Sequence, residues 1–246
     1  MMKPVLLALA MAMVAASARA NEIQIIAGGG ITGPMRTLAA EFEKATGHKL
    51  VIRFAATPDL IKMATGTPFD MAVVPREVFM NDAAKAMFVP GPTIDIARVG
   101  FGICVRSGAP KPDIATQAAF KKTLLEARSI AFLPESAAGA QVMRTFDKLG
   151  ITDAMKSKTR PQKIPGDIPK AVAQGDAEFG IFLLNVLAAP GVDIVGPFPA
   201  DLQQELVFTS SIAAKSDQTA IAKAFVDFLR TPAAVAVIKA QGMTPG

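Results

Sequence analysis

A short apolar strand that runs into three glycines and then into a helix is the feature that most constrains this chain. The β-branched residues within 23–26 predict a buried parallel strand, and glycines at 28–30 follow it directly. Thr32 is predicted to cap the next helix, and Pro34 suits its first turn. A helix N-terminus at the end of a parallel strand has unpaired N–H groups and a partial positive charge, which suits a bound anion. An ordinary strand–helix turn would explain the same residues equally well.

Strand-like and helix-like segments alternate along most of the chain after residue 20. Strands predicted at 50–54 and 70–74 each precede a short helix, the second of which is predicted to end near Phe88. Three such strand–helix units predict an α/β fold with an open, doubly wound sheet. Residues 90–92, Pro-Gly-Pro, interrupt the alternation, and residues 94–105 are predicted to cross in extended form into a second lobe.

The second lobe repeats the alternation and is predicted to be inserted into the first. Its predicted elements are helices at 116–127, 137–149 and 167–174 and strands at 129–133, 163–164 and 178–184. Residues 207–214 are extended again and are predicted to return to the first lobe. We therefore predict a first lobe of residues 21–95 and 210–246, a second lobe of residues 96–209, and two strand-like connections between them.

Residues 1–20 have the pattern of a cleavable secretory signal peptide. Lys3 provides a basic start, residues 5–16 form an apolar run, and Ala18-Arg19-Ala20 is a small-x-small cleavage site. The apolar run is too short to cross a bilayer, so no stable membrane insertion is predicted. No cysteine lies at the cleavage point, which argues against a lipid anchor. We predict export to the periplasm as a soluble protein.

Composition excludes several function classes. Without residues 1–20 the chain has 24 basic and 21 acidic residues, a net charge of about +3. The charges are dispersed along the sequence, which argues against nucleic-acid binding but is compatible with an anionic ligand. A single histidine, His48, and a single cysteine, Cys104, exclude the usual transition-metal cages and make a Ser-His-Asp triad improbable. Cys104 lies in an apolar run, which predicts a buried, inert thiol. We predict no metal, no other cofactor, no assignable catalytic residue and a monomer.

Ligands of open α/β sheets bind beyond the carboxyl ends of the strands, and this rule selects a short list of candidates. Four predicted helix beginnings meet the rule, and a basic residue follows the third strand. The ligand-binding candidates are Gly29, Gly30, Ile31, Thr32, Ala56, Thr57, Arg76, Ala138, Gly139 and Ile168. Thr57 could instead cap its own helix, and Arg76, like Arg53, could be solvated or ion-paired.

The order of motifs resembles the periplasmic molybdate-binding proteins of ABC importers, a branch of the type II solute-binding proteins. The matching segments are IIAGGGITGPM, AEFEKATGHKL, GTPFDMAVVP, AFLPESAAG, DKLGI, GIFL and AFVDFLRTPAA, and they recur over nearly the whole length after residue 20. The resemblance implies a two-lobe periplasmic-binding-protein type II fold with a two-strand hinge. It also implies that the lobes close around a small ligand and that an ABC-transporter permease is the partner.

The ligand residues implied by the resemblance carry over incompletely. Gly30 stands where the family usually has serine, and Leu183 stands where it often has tyrosine, so two hydroxyls are absent. Thr57 keeps a hydroxyl, Ala138 matches the small residue before Gly139, and Ile168 matches a backbone donor. Because a buried anion that lacks donors is costly, either other groups compensate or the ligand is not molybdate.

Two function classes remain open from the sequence. The first is a periplasmic solute-binding protein that captures a small anion for an ABC importer. Molybdate or tungstate is then the ligand that the family implies, and a small organic anion is a close contender. The second is an exported isomerase, which resembles the molybdate-binding proteins and interconverts cis- and trans-aconitate. Its base could be Asp59, Glu135, Asp167 or Lys170, which the sequence does not rank.

Overall fold

Strands and helices alternate through residues 21–246, the part of the chain that the computed structural model describes. The strands are β1 (Glu22–Gly28), β2 (Lys49–Ala55), β3 (Met71–Pro75), β4 (Ile94–Arg106), β5 (Ile130–Phe132), β6 (Thr159–Pro161), β7 (Phe179–Leu183), β8 (Val192–Pro197), β9 (Glu205–Ile212) and β10 (Thr244–Pro245). The predicted signal peptide, residues 1–20, lies outside the described residues.

The helices flank these strands on both lobes. They are α1 (Thr32–Thr46), α2 (Thr57–Gly66), α3 (Asp82–Lys85), α4 (Gln117–Glu126), α5 (Ala137–Leu149), α6 (Thr152–Lys156), α7 (Asp167–Gln174), α8 (Leu184–Leu187), α9 (Thr219–Leu229) and α10 (Pro232–Ala240). Short 3-10 turns at Gly29–Ile31 and Arg76–Met80 follow β1 and β3. In residues 21–246, no helix is long and apolar enough to cross a membrane.

The strand order is β2-β1-β3-β9-β4-β7-β5-β6, with β8 and β10 also paired to β4. In the first lobe β1 runs parallel to β2 and β3, and β9 returns antiparallel to β3. In the second lobe β5 runs parallel to β6 and β7. Parallel neighbours place the carboxyl ends of β1 and β2, and of β5 and β7, at common edges, where the helices that follow them begin.

Strand β4 belongs to both lobes. Its first half, Ile94 to Gly100, pairs with β9, and its second half, from Phe101, pairs with β7 and β8. At the change of partner, the Gln203 side chain completes the ladder: its Nε2 donates to the Phe101 carbonyl and its Oε1 accepts from the Phe101 N–H, both at 2.9 Å. The lobe limits given above, residues 21–95 with 210–246 and residues 96–209, remain a prediction. From the strand pairing we propose that the chain changes lobe at residues 100–101 and again near residue 205.

Two predicted elements differ in the structure. The predicted strand at 163–164 is absent, and the sheet is instead extended by Thr159–Pro161, because the prolines and glycine of the following segment turn the chain into α7. The predicted helix to Phe88 is a 3-10 turn followed by the short α3, because the Asn81 side chain accepts a hydrogen bond from the Ala84 N–H at 2.9 Å and starts a new helix.

One apolar core runs through both lobes. It includes apolar residues of β1 and α1 in the first lobe, of both halves of β4, and of α5 and β7 in the second lobe. Phe42 of α1 packs edge-on against Phe225 of α9 with ring centroids 5.0 Å apart, which attaches the C-terminal helices to the first lobe. A smaller cluster on the other face of the first sheet includes Leu60, Val74 and Phe88.

Cys104 is fully buried in β4, and we predict that it does not react in the folded protein. Removal from water raises the pKa of its thiol to about 12, so roughly one thiol in ten thousand is ionised at pH 8. Incubation of the native protein with iodoacetamide at pH 8 should leave its mass unchanged, whereas the same incubation in urea should add one label per chain. Labelling of the native protein at the rate seen in urea would contradict the burial.

Candidate functional site

Three helix beginnings meet at a small space between the lobes, here called the inner cavity. Its polar rim is formed by Gly29 and Gly30 before α1, Ala56 and Thr57 at the start of α2, and Ala137 and Ala138 at the start of α5. The rest of its wall is apolar and includes Leu133, Phe182, Leu183, Leu206 and Phe208. Its volume is about 20 Å³, which is enough for about one water molecule.

The glycines of this rim allow the two lobes to touch. A Cβ at Gly30 would lie 2.6 Å from Leu183 Cδ1 and 2.9 Å from Phe208 Cζ. A Cβ at Gly29 would lie 2.9 Å from Pro165 Cγ. The close approach that these glycines permit is therefore to apolar side chains, of which Leu183 and Pro165 belong to the second lobe.

Neither predicted threonine cap forms. The extended residue before α2 is Ala56, so Thr57 is already the first helical residue, and its Oγ1 accepts a hydrogen bond from the Ala137 N–H of the second lobe at 3.0 Å. Thr32 is likewise inside α1, and its hydroxyl donates to the Gly29 carbonyl at 2.8 Å. A capping side chain must come from the flanking, non-helical residue. The Thr57 hydroxyl thus joins the lobes.

Most candidate amides of the second lobe have protein partners. The Gly139 N–H donates to Ser136 Oγ at 2.9 Å, and the Ile168 N–H donates to the Pro165 carbonyl at 3.2 Å. Ile168 and Ile31 are fully buried and line neither the inner cavity nor the larger cleft described below. In the first turn of α5, the Ala138 N–H has no acceptor among the described residues.

The structure does not bring Arg76 to the other candidates. Its guanidinium forms an ion pair with Asp95 at 2.6 Å, and the residue lines neither space between the lobes. Arg53 is also engaged, because its Nη2 donates to the Pro68 carbonyl at 3.0 Å. Arg76 is therefore ion-paired in this structure, as the alternative interpretation of the sequence had it.

A much larger space, here called the outer cleft, opens beside the inner cavity between the lobes. Its volume is about 1250 Å³, and its wall includes Gly29, Gly30, Thr32 and Ala56 of the predicted set. Three basic side chains, Arg36, Lys62 and Lys163, and one acidic side chain, Asp59, also line it, which gives a net charge of +2. The larger space between the lobes is therefore the electropositive one.

Asn185 connects the lobes beside this cleft. Its Nδ2 donates to the Gly30 carbonyl at 2.9 Å, which fixes the orientation of the side-chain amide. Its Oδ1 is buried and has no hydrogen-bond partner among residues 21–246. The lobes are thus joined by the Asn185–Gly30 bond in addition to the Thr57–Ala137 bond.

Sequence reasoning missed the cations of the outer cleft. Arg36 lies one turn after Thr32 on the exposed face of α1, a position that the helical period could have indicated. Lys163 fell within the strand that was wrongly predicted at 163–164. Lys62 lies on α2 and pairs with Asp59 at 3.1 Å, a spacing of three residues that is common on any exposed helix.

Comparison with known proteins identifies the family. Residues 23–244 match the family model described as bacterial extracellular solute-binding protein. The chain belongs to this family. This solute-binding protein is 32% identical to an aconitate isomerase from a Pseudomonas species over 232 residues, which cover 91% of the chain and 87% of the relative. It is 29% identical to the molybdate-binding protein ModA of Azotobacter vinelandii over 242 residues, which cover 96% and 94%.

A solved structure has the same fold. The periplasmic molybdate-binding protein of Azotobacter vinelandii superposes with a TM-score of 0.69 at 23% identity, covering 90% of this solute-binding protein and 98% of that chain. The type II periplasmic-binding-protein fold predicted from the sequence is therefore confirmed. The predicted resemblance to the molybdate-binding branch is confirmed as well.

The Thr57–Ala137 bond gives a stability prediction for the link between the lobes. Replacing Thr57 with valine keeps the shape of the side chain but leaves the Ala137 N–H without an acceptor, so the free energy of unfolding should fall by about 1–2 kcal/mol. Urea unfolding followed by circular dichroism measures this change. Thr57→Ser retains the hydroxyl and is the matched control. Equal stability of the valine and serine variants would show that the bond contributes nothing.

Proposed function

We propose that this protein is exported to the periplasm, captures a small anion between its two lobes and delivers it to an ABC importer. The observation that supports the proposal is the charge of the outer cleft, which is positive and receives cations from both lobes. A cleft of this sign raises the local concentration of anions and steers them inward. The family membership and the molybdate-binding relatives support the transport role.

The proposal is tested by calorimetric titration of the protein without residues 1–20. The probes are molybdate, tungstate, cis-aconitate and propane-1,2,3-tricarboxylate, with a neutral sugar as control. At least one anion should bind and raise the melting temperature, because ligand at a hundred times its Kd stabilises the folded state by about 2.7 kcal/mol. If no anion gives heat or a thermal shift at millimolar concentration, the proposed function is wrong.

A second candidate function is isomerisation of aconitate, which the 32% identity to an aconitate isomerase favours. Of the four candidate bases, Asp59 alone lines the outer cleft, where Arg36 and Lys163 could hold carboxylates. The Asp59 carboxylate would remove a proton from the CH2 carbon next to a carboxylate, and the electron pair would delocalise over the adjacent C=C bond. Rotation about that bond and return of the proton would complete the isomerisation, so no oxidant or reductant is needed.

The isomerase candidate is tested by following the absorbance of cis-aconitate with micromolar protein. Turnover that is lost in Asp59→Asn and kept in Glu135→Gln would establish this candidate. A flat trace with the unaltered protein, together with measurable binding of cis-aconitate, would exclude catalysis and leave the transport role in place.

A further inference from the structure

The inner cavity cannot hold a tetrahedral oxyanion as it is built. Its volume of about 20 Å³ matches about one water molecule, and a four-oxygen anion is several times larger. Leu183 and Phe208 fill the space next to Gly30, and the Ala137 N–H is already bound by Thr57. In so small a space the amides of the rim cannot surround a buried anion.

The Arg36 side chain is positioned so that its guanidinium can bind a carboxylate in the outer cleft. Its guanidinium carbon lies 5.7 Å from the centroid of the Phe54 ring, and both side chains line the cleft. Among residues 21–246 no carboxylate lies within 4.0 Å of it. A guanidinium that rests on an aromatic face keeps its N–H edges free, and these edges match a carboxylate in a bidentate arrangement.

Lys163 provides a second free cation from the opposite lobe. It lies in the turn before α7, lines the cleft, and has no carboxylate partner within 4.0 Å in the described chain. The next residue, Ile164, also lines the cleft and is 61% exposed. A cation beside an exposed apolar side chain suits a ligand that has both carboxylates and a carbon skeleton.

The distribution of charge determines which ligands the outer cleft can satisfy. Arg36, Lys62 and Lys163 come from α1, α2 and the turn before α7, and Asp59 offsets one of the three charges. A compact oxyanion would fill little of a space of about 1250 Å³ and carries its charge at one centre. An elongated anion with separated carboxylates would contact both lobes and hold them closed.

We propose that the ligand lies in the outer cleft and is an elongated organic acid with at least two carboxylates, held by Arg36 of the first lobe and Lys163 of the second. This inference rests on the proposed capture of an anion and specifies its class and position. Phe54 and Ile164 contact the carbon skeleton, while Lys62 remains paired with Asp59.

The inference is tested with propane-1,2,3-tricarboxylate, which is saturated and therefore cannot be isomerised by moving a double bond. Its Kd should rise at least tenfold in Arg36→Gln and in Lys163→Gln, because each variant removes one charge-assisted contact. Lys44→Gln on α1 and Lys122→Gln on α4 remove exposed cations that do not line the cleft, and they should change the Kd less than twofold. Thermal unfolding of each variant confirms that all four remain folded.

Three results would overturn the inference. The first is a tricarboxylate affinity that is unchanged in Arg36→Gln and Lys163→Gln. The second is acetate binding as tightly as the tricarboxylate. The third is molybdate binding more tightly than the tricarboxylate and with equal affinity in both variants, which would place the anion in the inner cavity and leave the proposed function standing. Failure of every anion to bind would refute the proposed function itself.

Discussion

Replacing Gly139 with alanine is expected to lower the free energy of unfolding by about 3 kcal/mol, the upper end of the usual cost of overpacking. A Cβ at this position would lie 1.8 Å from the Leu133 carbonyl oxygen and 2.8 Å from Pro134 Cα. Both are backbone atoms of the turn between β5 and α5, so no rotation of a side chain relieves the clash. The turn would have to move, and with it the start of α5 at the inner cavity.

Urea unfolding measures this loss: the midpoint urea concentration should fall, while the dependence of the unfolding free energy on urea concentration should not change. Gly66→Ala is the matched control, because Gly66 ends α2 and a Cβ there would have no atom within 4 Å. That variant should be as stable as the unaltered protein or slightly more stable, since alanine reduces the entropy of the unfolded chain. A Gly139→Ala protein with an unchanged midpoint would mean that the turn relaxes at no cost.

The second large effect is expected where Gly30 meets Leu183. Gly30→Ser alone should cost about 2 kcal/mol, because its Cβ would lie 2.6 Å from Leu183 Cδ1. Leu183→Ala alone should cost about 2–5 kcal/mol through the cavity that it leaves. In the double variant the serine enters the vacated space, so the combined loss should be smaller than the sum by about 1–3 kcal/mol.

A double-mutant cycle measures this coupling. Leu149→Ala, at the end of α5, removes a buried leucine that does not line the inner cavity, and its effect should add to that of Gly30→Ser. The Gly30→Ser/Leu183→Ala protein also gains a hydroxyl and space at the inner cavity, and it should therefore bind molybdate more tightly than the unaltered protein does. Additive losses for the Gly30–Leu183 pair would contradict the contact.

The fold could be predicted from the sequence because its local signals agree with one another. Helix α5 has the predicted bounds because the Ser136 hydroxyl accepts from the Gly139 N–H at its start, and Gly150 adopts a φ of 66° at its end. Helix α7 ends as predicted at Gln174, and the next residue, Gly175, has a φ of 85°. The strand at 163–164 was wrong because two residues are too few for a pattern of period two.

The site was predicted less completely than the fold, for a physical reason. The rule that ligands bind at the carboxyl ends of strands selected Gly29, Gly30 and Ala56, and the structure places these beside both spaces between the lobes. The rule gives only backbone positions within one sheet. Which exposed cation of one lobe faces the other lobe depends on how the lobes close, so Arg36 and Lys163 could not be selected from the sequence.

The shared strand β4 restricts how this architecture can be divided. Each half of β4 completes a different sheet, and the Gln203 amide joins the two ladders at Phe101. Neither lobe can therefore be expected to fold alone. A fragment cut within β4 at residues 100–101 would lose half of that strand and expose an unpaired sheet edge. A chimaera that combines lobes of two relatives has to inherit β4, β9 and the glutamine between β8 and β9 from the same parent.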